Sequence, residues 1–214
     1  MTKTFLITRP NDDATTRYLH AWSEKIIELA KKKGMQILDL SKKKANRQEV
    51  EGRLKKLNPE LVMINGHGDI DCVTGYSQEI LLKSGKNEKL LKSAIVYALS
   101  CKSAVVLGPK SIEAGCLAYI GYKADFIFVH KNKLNRPLED KVAKLFLEPS
   151  NQVVVSLLKE HTAKESSVNS KKFSQRNIRK LLSSETSTNS SAYIDYLLWN
   201  MKNQVCLGDE GAEI

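Results

Sequence analysis

The sequence lacks the features of chains that do not form ordinary globular domains, such as abundant glycine and proline or long apolar runs. It holds only 11 Gly and 5 Pro among 214 residues, which excludes a collagen-like repeat and a wholly disordered chain. No apolar run approaches the ~20 residues that cross a bilayer, and the first ten residues lack the pattern of a secretory signal. We therefore expect a cytoplasmic protein that folds as one domain, or as one domain with an appendage.

Cysteine is scarce and its spacing is irregular. Cys72, Cys101, Cys116 and Cys206 form no C-x-x-C pair, so neither a zinc ribbon nor a dense disulfide framework is predicted. The sequence also lacks a G-x-x-x-x-G-K-[ST] loop and a G-x-G-x-x-G turn after a strand, which excludes the usual nucleotide-binding motifs. We predict no cofactor, and we interpret Cys72, Cys116 and Cys206 as packing residues.

Acidic side chains are outnumbered by basic ones. The 34 Lys and Arg against 24 Asp and Glu give a formal charge of +10, which favours nucleic acid, acidic lipid or an acidic protein as a partner. However, the basic residues are spread over many amphipathic segments, and they lack the interleaved aromatics of an RNA-binding sheet. We therefore favour a solvated, Lys-rich surface over a nucleic-acid partner, and we predict no membrane association.

The pattern of apolar residues changes along the chain. Residues 1–130 alternate strand-like apolar runs with helical patterns, which predicts a mostly parallel sheet in a three-layer α/β/α sandwich, with further strand at 117–122 and 126–129. Residues 131–203 predict a helical elaboration, within which the polar stretch 161–174 is interpreted as a loop. Residues 204–209 predict a closing strand. We expect a single domain over 1–214.

Two reactive side chains follow two successive predicted strands. His67 lies in Asn65-Gly66-His67-Gly68-Asp69, directly after the apolar run 61–64, and Cys101 follows the apolar run 94–99. Parallel strands end at the same edge of a sheet, where ligands bind, so we expect this imidazole and this thiol to face one substrate. Such a pair suits acyl transfer, in which Cys101 attacks a carbonyl and His67 moves the proton.

These features in this order resemble the caspase-like cysteine peptidase clan, most of all its gingipain, clostripain and CHAT-type branches. The likeness covers residues 5–129, including 113–121, and the closing 205–209 is similar to the Gly-Asp ending of gingipain-type domains. The resemblance implies a cysteine endopeptidase that hydrolyses peptide bonds through a Cys101–His67 dyad and a thioester acyl-enzyme. It also implies the amides of Gly68 and Cys101 as oxyanion donors, and a peptide or protein as substrate. Activation by a protein partner or by self-cleavage stays open.

The sequence departs from that clan around the substrate pocket. It has no Gln-Ala-Cys-Arg-Gly motif, and no acidic residue immediately precedes Cys101. In several branches the residue that binds the substrate side chain follows the first strand, where this chain has Arg9, Asp12 and Asp13. Asp69 is a further pocket candidate. Because these residues carry opposite charges, an acidic and a basic preference before the scissile bond both stay open.

Two other classes of function are kept as alternatives. The chain could be a catalytically silent scaffold or signalling module of the same fold, or a basic nucleic-acid-associated protein in which the His and Cys are coincidental. A metal site made of His67, Asp69, Asp71 and Cys72 is not predicted, because one short loop supplies poor coordination geometry without ligands from elsewhere.

Overall fold

A computed structural model describes residues 2–131, 134–183 and 190–214. Residues 132–133 and 184–189 of the predicted helical elaboration lie outside the described residues. The elements in chain order are β1 (Thr4–Arg9), α1 (Ala14–Trp22), α2 (Glu24–Lys32), β2 (Gln36–Ser41), α3 (Arg47–Leu57), β3 (Leu61–Asn65), β4 (Gly68–Asp69), β5 (Cys72–Thr74), β6 (Ile80–Lys83), β7 (Ile95–Leu99), α4 (Leu107–Glu113), β8 (Ala118–Tyr122), α5 (Lys141–Leu157), α6 (Ala163–Ser183), α7 (Ser190–Asn203) and β9 (Gln204–Gly208).

The main sheet has six strands in the order β2-β1-β3-β7-β8-β9. The first five are parallel, and β9 returns antiparallel to β8. Strands β1, β3, β7 and β8 are buried along their whole length, which explains why each is a continuous apolar run rather than an alternating one. The mostly parallel sheet predicted from the sequence is confirmed.

Helices cover both faces of this sheet. Phe5 and Ile7 of β1 pack with α1, α2 and α5 on one face, whereas Leu6 packs with α3 and α4 on the other. Alternate residues of one strand therefore enter two different hydrophobic layers, as the two-residue period of a strand requires. The predicted three-layer α/β/α sandwich is confirmed.

The segment between β3 and β7 forms a second, small sheet. Its three short strands β4, β5 and β6 pair antiparallel, with an irregularity between Val73 and Thr74. These strands were not predicted from the sequence, because segments of two to four residues carry too little periodicity. The strand expected at 126–129 is wrong in turn, since those residues belong to no strand or helix.

Most of the polar stretch 161–174, from residue 163 onward, is helix, and its prediction as a loop is wrong. It forms the first half of α6, whose inward face is made of small polar residues. Ser167 and Ser170 bond the side chain of Gln204 on β9, and Gln204 also donates to the buried hydroxyl of Tyr122. These hydrogen bonds allow a serine-rich face to be buried without loss of polar partners, which a hydrophobicity pattern does not reveal.

The described residues contain no helix that combines the length and the apolar character needed to cross a bilayer.

Candidate active site

The strand ends place His67 and Cys101 at one edge of the main sheet. Strands β3 and β7 are parallel neighbours, and Asn65 is paired with Leu99 at their last residues. His67 and Cys101 each lie two residues beyond that pair, so their backbones leave the sheet side by side. The two side chains on which the sequence interpretation depends are therefore brought to the same rim.

The glycines on both sides of His67 are required by close backbone contacts. A Cβ on Gly68 would lie 2.7 Å from the carbonyl oxygen of Cys101 and 2.9 Å from the Cβ of Ser100. A Cβ on Gly66 would lie 2.0 Å from the carbonyl oxygen of Thr74. The Gly-His-Gly sequence thus lets the loop that carries His67 contact both the second sheet and the loop that carries Cys101.

Asp13 is the hydrogen-bond partner of His67. Its Oδ2 lies 2.6 Å from His67 Nε2, and its Oδ1 accepts from the Thr16 amide as the N-cap of α1. Burial alone would raise the pKa of Asp13, but the Thr16 amide and then His67 hold this pKa below its ordinary value. The ionised carboxylate therefore accepts a hydrogen bond from the Nε2–H of His67, which leaves Nδ1 as the ring nitrogen that can take up a proton.

The Cys101 thiol is half-buried and protonated in the resting protein. Burial raises its pKa, the hydrogen bond from the Phe126 amide lowers it, and the adjacent Asp125 carboxylate raises it again, so that the net pKa is above its ordinary value. Cys101 does not begin a helix, because bends and a turn over 101–106 separate it from α4. The sulfur therefore lacks a helix dipole to stabilise its thiolate, and its activation needs a base.

The backbone directly around Cys101 is unusual in two respects. Among the described residues, the Cys101 N–H has no hydrogen-bond acceptor. The next amide, Lys102 N–H, donates to the Ala124 carbonyl. Lys102 also has a φ of 55°, in the left-handed region that non-glycine residues rarely adopt. Strained residues of this kind cluster at functional sites, where the fold over-determines a loop geometry.

The four pocket candidates are placed in different environments. Arg9 is buried, and its guanidinium donates to Asp39, to Glu24 and to the His20 carbonyl, which neutralises its charge inside the protein. The Asp13 carboxylate is already hydrogen-bonded to His67.

The other two candidates are carboxylates bound to backbone amides. Asp12 accepts from the Ser77 amide, and the exposed Asp69 accepts from the Ile70 amide. A fifth charged group, the exposed Asp125, lies next to Cys101 and is 3.3 Å from Lys102 Nζ. Asp125 was not among the predicted site residues, since nothing in a single sequence shows that the loop after β8 returns to Cys101.

The three other cysteines lie away from the ends of β3 and β7 where His67 and Cys101 are placed, or are enclosed by the protein. Cys72 and Cys116 are buried, and burial raises the pKa of Cys116 to about 12 and that of the half-buried Cys206 to about 11. Within the described ranges, no three His, Cys, Asp or Glu side chains are arranged to hold a metal ion.

Neither the protein-family models nor the curated proteins give a match to this sequence. Solved structures do match. The Arg-specific cysteine proteinase gingipain R superposes with a TM-score of 0.66 and 11% identity, over 99% of this chain and 47% of that chain. The complex of the pro- and mature domains of RgpB from Porphyromonas gingivalis matches with a TM-score of 0.58 and 9% identity, over 98% and 47%.

The chain thus spans about half the length of the gingipain chains that it matches. At this identity the likeness concerns the fold, and it confirms that the chain has the caspase-like α/β/α architecture that the sequence motifs indicated.

Proposed function

We propose that this protein is a cysteine endopeptidase in which Cys101 is the nucleophile and His67 the general base and acid. The observation that carries the proposal is that β3 and β7 end at the same edge of the sheet. His67, held by Asp13, follows one strand there and Cys101 follows the other. A peptidase-like fold alone would not assign chemistry, because one fold serves many functions. The arrangement of nucleophile, base and orienting carboxylate is what supports acyl transfer.

The proposed reaction proceeds in two halves. Nδ1 of neutral His67 takes the thiol proton, the Cys101 sulfur attacks the scissile carbonyl, and the resulting oxyanion is held by the free Cys101 amide together with that of Gly68. The imidazolium then gives its proton to the leaving amine, which departs and leaves a thioester. In the second half His67 takes a proton from water as the water oxygen attacks the thioester. The C–S bond then breaks, the acyl part of the substrate leaves as a carboxylic acid, and the imidazolium returns its proton to the Cys101 sulfur.

We infer further that the substrate carries a basic side chain before the scissile bond. Arg9 is neutralised by two carboxylates, whereas Asp125 lies beside the nucleophile and half of its side chain is exposed. Its contact with Lys102 is a surface ion pair of the kind worth only ~0–1 kcal/mol, so a substrate cation can replace it. Gingipain R, described as Arg-specific, has the same fold.

The proposal is tested by hydrolysis of a fluorogenic peptide library with Lys, Arg, Asp or Ala before the reporter. We expect cleavage after Lys and Arg, a loss of at least about 10³-fold in kcat in Cys101→Ala, and an unchanged rate in the matched control Cys206→Ala. Asp125→Asn should raise KM for the basic substrates more than for the Ala substrate. Absence of cleavage by the wild type, or equal cleavage by Cys101→Ala, would favour the silent scaffold.

A further inference from the structure

Helix α6 carries the most one-sided distribution of charge in the described part of the chain. From residue 166 to its end it has no acidic residue, but it has five basic ones, which are Lys171, Lys172, Arg176, Arg179 and Lys180. None of these five forms an ion pair with any described residue, although Lys164 at the start of the same helix is paired with Glu210. The helix therefore presents positive charge that the fold itself does not neutralise.

Three of these cations line a groove between α5 and α6. Lys172, Arg176 and Arg179 follow one another at i, i+4 and i+7, which places them on one face of the helix. The groove measures about 580 Å³, and its other lining residues are Gln152, Asn169 and Gln175.

The surroundings of this groove keep its charge positive. Among the described residues no carboxylate lines it, and Glu148, one turn before Gln152 on α5, is 3.9 Å from Lys144. An adjoining hollow shares Asn169 and Lys172 and contains Glu165, which lies 3.6 Å from His161. Acidic groups near the groove thus have basic neighbours of their own.

The groove is also held in place. Buried serines bring α6 close to α5 and β9, and Asn177 donates to the Leu145 carbonyl of α5. Asn169 and Gln152 both bond Ser156 Oγ, which joins the two walls. Arg176 stacks on the Phe173 ring with its guanidinium carbon 4.6 Å from the ring centre. The stacked Arg176 therefore loses less entropy on binding than a freely rotating side chain does.

We propose that this groove binds the phosphate backbone of double-stranded nucleic acid without reading its sequence. The six lining residues are Lys, Arg, Asn and Gln, which are side chains that bind phosphate oxygens, and none is the aromatic or aliphatic anchor of a typical protein interface. No aromatic ring lines the groove to stack on unpaired bases, which argues against a single strand. The row Lys172 to Arg179 spans ~10 Å of helix, about three nucleotides along one strand.

A membrane surface is a poorer occupant of the same face. Interfacial helices bury a continuous apolar stripe beside their basic one. The lining of this groove contains no apolar residue, and the exposed apolar residues Val168 and Leu182 lie far apart along α6. The groove contains none of the residues Cys101, His67 and Asp13, so this binding site is independent of the proposed peptidase chemistry.

The test measures binding of a fluorescent 20-base-pair DNA duplex by anisotropy, with the full-length protein at 50 and 200 mM salt. The triple variant Lys172→Gln/Arg176→Gln/Arg179→Gln is compared with Lys31→Gln/Lys32→Gln/Lys33→Gln, which removes the same charge from an exposed run at the end of α2. Three phosphate contacts predict that wild-type affinity falls about 40-fold between the two salt concentrations.

We expect the groove variant to bind at least about 10-fold more weakly at 50 mM salt, with a salt slope reduced by about 2.7, at an unchanged Tm. The α2 variant should lose less than about 3-fold, and Arg176→Lys/Arg179→Lys should keep the wild-type slope. An RNA duplex of the same sequence should bind comparably.

Equal losses in the two triple variants would overturn the proposal, because binding would then follow total charge alone. The proposal would also be overturned if the wild type did not bind the duplex at 50 mM salt. Tighter binding to a poly-Glu peptide, to phosphatidylserine vesicles or to the single strand would overturn it as well.

Discussion

At the scale of single residues, Asp13 shows both what the sequence indicates and what it cannot. Its role as the N-cap of α1 follows from a local preference, because Asp is a favoured N-cap residue, whereas its place near the substrate pocket was implied by the family resemblance. Its contact with His67 joins residues 54 positions apart, which no local pattern contains. The same is true of Asp125, whose proximity to Cys101 depends on the path of the chain after β8.

Replacing Asp13 by Asn separates its two roles. Asn caps a helix as well as Asp does, so we expect a Tm near that of the wild type. The neutral amide holds the imidazole tautomer less well and stabilises the imidazolium less, so kcat should fall about 10²- to 10⁴-fold with little change in KM. Steady-state kinetics and thermal unfolding check this, and Asp13→Ala should add about 1 kcal/mol of destabilisation from the lost cap.

The lowered pKa of Asp13 sets the expected pH dependence. A carboxyl with a depressed folded-state pKa stabilises the protein above its unfolded pKa of ~3.9, and this contribution is lost as the pH falls through the lower folded value. The hydrogen bond to His67 should therefore persist throughout the neutral and mildly acidic range. Retention of full kcat in Asp13→Asn would contradict the orienting role.

At the scale of elements, the predictions succeeded where a segment is buried on both sides. Strands β1, β3 and β7 are continuous apolar runs, and their parallel direction follows from alternation with helices. The predictions failed where short strands or polar helix faces are stabilised by contacts between residues that are distant in sequence. The small sheet β4–β6 depends on pairing, and α6 depends on serine hydrogen bonds to β9 and on packing against α5.

The loop that carries His67 should tolerate no side chain at Gly68. In Gly68→Ala the new methyl group would meet Ser100 and the Cys101 carbonyl, so one loop must shift. Overpacking of this kind costs ~1–3 kcal/mol, which corresponds to a fall in Tm of about 2–12 °C, and activity should fall further because His67 and Cys101 move apart.

Gly52→Ala is the matched control for this substitution. A Cβ at Gly52 meets no atom within 4 Å, and alanine is favoured over glycine within a helix such as α3, so Tm should rise slightly. If Gly68→Ala were as stable and as active as the wild type, the close approach of the two loops would be wrong.

At the scale of the whole molecule, the charge is distributed unevenly around the fold. The rim near Cys101 exposes carboxylates, whereas the α5–α6 groove exposes cations without partners among the described residues. The net charge of +10 predicted neither location, because it adds up the charges of the whole chain and does not show where they lie on the surface. A basic substrate at the rim and a polyanion at the groove are compatible, since the two surfaces share no residue.

The most direct test of the account is covalent labelling by a peptidyl acyloxymethyl ketone, followed by intact-mass measurement and peptide mapping. The reagent is used in two forms, with Lys or with Asp before the reactive ketone. We predict one adduct per chain, located on Cys101, faster for the Lys form and lost in His67→Ala. No adduct from either form, or adducts on Cys101 and Cys206 alike that do not depend on His67, would contradict the assignment of the nucleophile and its base.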